Sequence, residues 1–296
     1  MTDQAVAAHA DLTSALIRVR DALAHGTAGL AAGTPENYAH AERLAIRRAR
    51  AAIRAGSPHL GLTLTRALVD DMRWLARLLG TVRDLDVAAE HMAATCPPEL
   101  WRAIAPCLAA ERAEALSLVR TGLSSGRMDV LEERLAEAVA HSRSLDTADL
   151  ERAAARRARQ LLVRLQLVTA EPENLLGHEP LHELRKLLRN LRYTLELLPA
   201  RETAVWFAAI HAELHHLQDW FGQIQDLTVQ CDVIARIRRF HVRQGSALRE
   251  PLEAYAARQA HARDALVVRF PAVIAPLLRA IEEFRLPERL QALRDA

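Results

Sequence analysis

Between residues 40 and 54 the chain reads His40-x-x-Arg43-x-x-x-Arg47-Arg48-x-Arg50-x-x-x-Arg54. On a helix, His40, Arg43, Arg47, Arg50 and Arg54 fall within one arc of about 80°. Such a stripe is a row of permanently charged, multi-donor groups, and the chemistry it suits is the binding of phosphate oxygens. The run from Arg43 to Arg54 measures about 16 Å at ~1.5 Å per residue, room for several consecutive phosphates. A solvated helix face normally mixes signs. Here Arg43/Arg47, Arg47/Arg50 and Arg50/Arg54 are like-charged neighbours, each costing about 0.2–0.5 kcal/mol. Glu42, the one acid between 40 and 54, falls on the opposite side of the wheel. A polyanion would remove that cost.

The stripe occurs twice. Sliding the chain along itself until position 40 meets position 182 puts His40, Arg43, Arg47 and Arg50 on His182, Arg185, Arg189 and Arg192, with Lys186 at the margin of the second arc. Leu184, Leu187, Leu188, Leu191, Leu195 and Leu198 cluster on the far side, so one face packs while the other presents cations. The same offset pairs Leu75 with Leu217, Gly80 with Gly222, Asp84 with Asp226 and Leu85 with Leu227. Farther on, the register slips by one position, aligning Arg120 with Arg263. The expectation is a tandem internal repeat, with one half over 1–143 carrying its motif at 40–54 and the other over 144–296 carrying its motif at 182–193. Two arginine-rich helices would then face each other across a basic groove.

The elements that must hold these stripes are helices. Of 296 residues, half are hydrophobic but only 4% aromatic, so alanine and leucine must build the core. With 11 Gly and 12 Pro there are few tight turns, and the long Ala/Leu/Arg/Glu stretches predict an all-α fold. Helices are expected near 3–31, 36–55, 59–79, 84–94, 98–124, 127–141, 147–169, 180–198, 202–220, 226–243, 247–268 and 271–284. In this reading Gly80 and Gly222 are stops, and Asp84 and Asp226 cap or begin the next helix. Cys96, Cys107 and Cys231 form no C-x-x-C pair and indicate a reducing compartment. No uninterrupted apolar run reaches the ~20 residues of a membrane span, so a cytoplasmic protein is expected.

Formal charge is only +2, which decides nothing about a polyanionic partner; the placement of charge must decide. Lys186 is the one lysine, leaving arginine as nearly the sole cation. His211 and His215, at i and i+4 with Asp219 a turn on, have a spacing that could hold a divalent metal, yet a solvated histidine face is the favoured reading. Asp84, Asp86 and Asp226 are read as caps or partners of groove arginines in preference to acid catalysts. Trp74, Trp101, Trp206 and Trp220 stand among aliphatics and are read as core. Arg152, Arg156 and Arg159 make a second short basic face, read as solvated in preference to a groove wall.

At these residues the chain resembles the CHAD (conserved histidine α-helical domain) family. The resemblance rests on His40-x-x-Arg43-x-x-x-Arg47-Arg48-x-Arg50, on Leu181-His182-x-Leu184-Arg185-Lys186-x-x-Arg189-x-Leu191-Arg192-Tyr193 and on Leu79-Gly80-x-x-Arg83-Asp84-Leu85-Asp86-Val87. It implies two helical bundles related by a pseudo-twofold axis around a central basic groove. It further implies inorganic polyphosphate as ligand and association with polyphosphate granules. The residues expected to bind are His40, Arg43, Arg47, Arg50, Arg54, His182, Arg185, Lys186, Arg189 and Arg192, with Arg48, Arg120 and Arg263 as further candidates. Binding without catalysis, cofactor or metal is expected. A nucleic-acid-binding protein is disfavoured by the near-zero net charge and by the lack of aromatics interleaved with the stripe. A metal-dependent phosphohydrolase would need a twinned acid or metal-ligand set, and a helical scaffold would prefer an acidic protein segment.

Overall fold

In the computed structural model, residues 12–31, 38–143, 146–171, 175, 177–198, 205–243 and 247–295 are described, and every described element is helical. In chain order they are α1 (Leu12–Ala31), α2 (Tyr38–Ala55), α3 (Ser57–Leu60), α4 (Leu62–Thr95), α5 (Pro98–Leu123) and α6 (Gly126–Ser142). The order continues with α7 (Thr147–Thr169), α8 (His178–Leu195), α9 (Trp206–Arg243), α10 (Arg249–Val267), α11 (Phe270–Glu283) and α12 (Leu286–Asp295). No described helix is long and apolar enough to cross a membrane.

The chain divides into two compact units, and neither is continuous in sequence. The larger comprises Met1–Ala76, Ser125–Gln218 and Pro271–Ala296; the smaller comprises Arg77–Ser124 and Asp219–Phe270. Each draws on both halves of the sequence. The two segments of the smaller unit begin at Arg77 and Asp219, positions that the offset of the arginine stripes places on one another.

In the larger unit α2 packs against α1, α3, α7 and α8. Its buried residues explain how one helix can have so many neighbours: Ala49, Ala51, Ala52 and Ala55 sit beside Ile46 and Ile53, and small side chains let backbones approach. Gly56 continues this. A Cβ there would lie 2.6 Å from Leu12 Cδ2 and 3.3 Å from the Ala52 carbonyl oxygen, so a larger residue would make the buried Leu12 side chain shift where α1 meets the end of α2. On α8 and just beyond it, every leucine of the expected apolar face is buried. Burying a leucine stabilises by about 1.5–3 kcal/mol, which anchors α8 and fixes which face its cations present.

In the smaller unit, Asp86 pairs with Arg112 of α5 at 2.5 Å and Glu111 with Arg236 of α9 at 3.0 Å. Thr95 and Tyr255 hydroxyls share a 2.7 Å hydrogen bond.

The glycine stops are not there. Gly80 lies inside α4 and Gly222 inside α9, both unbroken. A lone glycine costs a helix about 1 kcal/mol, and the burial of Leu79, Val82 and Leu85 around one, and of Phe221 and Ile224 around the other, outweighs it. Asp84 and Asp226 are therefore mid-helix residues and cap nothing. Trp206 and Trp220 are buried, as expected of core, whereas Trp74 and Trp101 are half-buried and Trp74 lies under the Arg127 guanidinium at 4.7 Å.

Candidate anion-binding site

Where α2, α7 and α8 meet in the larger unit, they and the start of α4 enclose a cavity of about 360 Å³. From α2 come Arg47, Arg50 and Arg54, one helical turn apart; α4 gives Arg73 and α7 gives Arg164. From α8 come Glu183, Lys186, Leu187, Arg189 and Asn190. Seven cationic side chains thus face one space with a single carboxylate. That carboxylate is already engaged: Lys186 donates to Glu183 at 2.6 Å, one turn away on the same helix, and holds it below the usual carboxylate range. Arg73 is paired with Asp70 at 2.6 Å.

Among the described residues no carboxylate lies within ion-pair distance of Arg50, Arg54, Arg164 or Arg189. Their electrostatics show it. Burial first, then Arg47, Arg185 and Arg50, push the Arg189 guanidinium down to about 9. Burial, followed by Arg50, Arg73 and Arg157, pushes Arg54 down to about 10. Arg50 is lowered by burial and then by Arg73 and Arg47, and its Nε is buried without a hydrogen-bond partner. All three stay charged at neutral pH, so the cavity stores cation–cation repulsion that an entering anion relieves.

A CHAD domain model matches residues 14–235 of the chain. The chain belongs to the CHAD family. The crystal structure of the CHAD domain from the plant Ricinus communis superposes with a TM-score of 0.71 at 20% identity, over 94% of this chain and 96% of that one. PptA from Streptomyces chartreusis gives 0.57 at 18% identity, over 91% and 99%. At such identities the likeness shows a shared all-helical fold. A comparison with curated proteins gives no significant match.

This CHAD domain brings Arg47, Arg50, Arg54, Lys186 and Arg189 of the expected binding residues to one cavity. Arg43, His182 and Arg185 do not line it. Arg185 still acts on Arg189, and burial, then Lys186 and Arg185, lower the His182 imidazole. His40 stands in the first turn of α2, and its side chain lies outside those described.

Arg192 goes elsewhere. It is 4% exposed, forms an ion pair with Glu196 at 3.2 Å, meets His215 Nε2 at 2.7 Å and lies 4.4 Å over the Tyr193 ring. Glu196 also takes Arg48 at 3.4 Å and His211 at 3.1 Å. Arg192 and Arg48 are thus spent on a buried carboxylate, and His211 and His215 on the same cluster in place of a solvated face. Arg192-x-x-x-Glu196 is an i, i+4 pair visible in the sequence, and that spacing is the signal for its fate. Arg120, exposed on α5, and Arg263, paired with Asp264 at 2.9 Å, belong to the smaller unit.

Sequence reasoning missed Arg73 and Arg164. The offset of the two stripes sets Arg73 on His215, and Arg164 extends the basic face of α7 beyond Arg159.

Proposed function

We propose that this CHAD domain binds inorganic polyphosphate, non-catalytically, in the α2–α7–α8 cavity. One observation carries the reading: six arginines and a lysine face one space whose single carboxylate is already paired. A linear polyphosphate offers about one negative charge per unit and no bases or grooves, so a cluster of guanidiniums satisfies it fully. Among the described residues no aromatic side chain lines the cavity, which removes the stacking platform a single-stranded nucleic acid uses. Asn190 adds a neutral amide donor beside Arg189. A site of nearly one charge sign, whose one acid is tied to Lys186, suits holding an anion in preference to transferring a proton. In this reading the protein works in the cytoplasm, on polyphosphate granules.

The test is retention of labelled long-chain polyphosphate in competition with DNA, RNA, tripolyphosphate and orthophosphate at fixed salt. Polyphosphate should win and orthophosphate should compete poorly, with a log–log salt slope of roughly −4 for about six phosphate contacts at ~0.7 each. Equal competition by RNA, or a slope near zero, would overturn the reading.

A further inference from the structure

The cationic surface continues past the cavity wall. From Arg152 to Thr169, α7 carries five arginines and no acid. Its outer face, with Arg294 from α12, borders a second, more open recess of about 580 Å³. Arg164 belongs to both recesses. Arg157 and Arg159 spend donors on the neutral amides of Gln160, at 3.1 Å, and Gln291, and so keep their full charge. Arg294 is paired with Asp295 at 2.9 Å, a carboxylate that Arg159 also reaches electrostatically across the recess. Arg156 is exposed, and Arg156/Arg159 are like charges at i, i+3, an unfavourable pair that Asp149 and Asp295 offset only at long range, with no ion pair to either arginine among the described residues. The two recesses are also electrostatically continuous: Arg157 acts on Arg54, in the last turn of α2, and Arg164 acts on Arg157.

We infer that the α7–α12 recess is a second phosphate subsite, onto which a polyphosphate chain passes from the cavity by way of Arg164, continuing over Arg156, Arg159 and Arg294. This rests on the polyphosphate reading of the cavity. A chain longer than the cavity must leave it somewhere, and each phosphate set against neutral surface forfeits a counterion release that one set against a guanidinium gains. From Arg156 to Arg164, α7 supplies about 12 Å of acid-free cationic surface at ~1.5 Å per residue. Val163 and the arginine stems give that surface an apolar floor, which bare phosphate does not need; the guanidinium heads above it hold the chain.

The experiment titrates tripolyphosphate and long-chain polyphosphate into the wild type, Arg156→Ala/Arg159→Ala and Arg156→Ala/Arg294→Ala. The second variant leaves the Arg159–Gln291 bond between α7 and α12 intact. Both variants should bind tripolyphosphate within about twofold of wild type and lose about tenfold for the long chain, with a salt slope shallower by about 1.4 for two lost contacts. Unchanged long-chain affinity in folded variants, or equal loss of both ligands, would overturn the second subsite while leaving the cavity reading intact. If the wild type binds neither ligand, the cavity reading itself fails, and this one with it.

Discussion

Arg50, Arg54 and Arg73 correspond, at the offset of the two stripes, to Arg192, Glu196 and His215, and the two sets have opposite fates. The first lines an open cavity with no carboxylate in reach of Arg50 or Arg54; the second is a closed cluster around Glu196. Arg50 and Arg192 occupy corresponding places on α2 and α8, and each leaves its Nε buried without a partner. The difference lies one turn further on, where α2 has arginine and α8 is followed by glutamate. With glutamate, the preceding arginine is neutralised and buried; with arginine, the charge stays available and the counter-ion must come from outside. An arginine stripe therefore says little about ligand binding until the residue at i+4 is known.

The strongest way to break this comparison is to write one cluster into the other. Arg54→Glu puts a carboxylate among Arg50, Arg73 and Arg157. Calorimetry should show polyphosphate affinity falling by at least about a hundredfold, since a charge-assisted contact worth ~1.5–3 kcal/mol is replaced by repulsion. The ligand-free melting temperature should stay or rise, and a large drop would mean that Arg54 is structural. Conversely, Glu196→Gln strands Arg192 and Arg48 without a counter-charge and should cost about 3 kcal/mol of stability by denaturant melts. Burial alone would raise the Glu196 carboxyl, yet His211, Arg192 and Arg48 carry it below the ordinary range. Its stabilisation is accordingly present above the unfolded value of about 4.5 and lost as pH falls through the lower folded value. The variant should lack that acid-side loss.

A finer cut compares neighbours on α8. Arg189→Ala should weaken polyphosphate binding by about tenfold with little change in the melt, whereas Arg192→Ala should destabilise the fold. Equal effects on binding would dissolve the distinction. The smallest expected effect is at His182. Because burial, Lys186 and Arg185 depress its folded value, the unfolded chain takes the proton first, and ligand-free stability falls as pH drops below about 6.5. A bound polyanion screens those cations and favours the imidazolium, so affinity should rise about threefold over the same fall. His182→Gln should flatten both trends; an unchanged profile would mean that His182, outside the cavity lining, does not sense the bound anion.

The fold was legible wherever a single helix carries its own pattern. The leucine face of α8 and the arginine rows of α2 repeat at helical spacing, and the burial of the leucines followed from that alone, whereas the half-burial of the arginines comes from the helices packed around them. What one helix cannot show is a neighbour's contribution: Arg73 and Arg164 reach the cavity from α4 and α7, and no periodicity in α2 or α8 points to them. Local punctuation misled in two places. Gly80 and Gly222 read as stops because glycine weakens helices, but the penalty is about 1 kcal/mol and buried neighbours offset it. Arg192 fitted the wheel and was claimed by Glu196, a partner that the stripe alone does not weigh.

The pairing of Lys186 with Glu183 at the cavity wall makes the site chemically addressable. Since every other basic side chain of the Lys/Arg class is arginine, the chain has one ε-amine, and it lies where the anion is expected. Amine acylation there would remove a cation and release Glu183 from its hydrogen bond, turning one wall of the cavity from neutralised to acidic in a single covalent event. An amine-directed reagent, read by peptide mapping to set Lys186 apart from the α-amine, thus reports occupancy at one side chain, and polyphosphate should shield that amine from labelling.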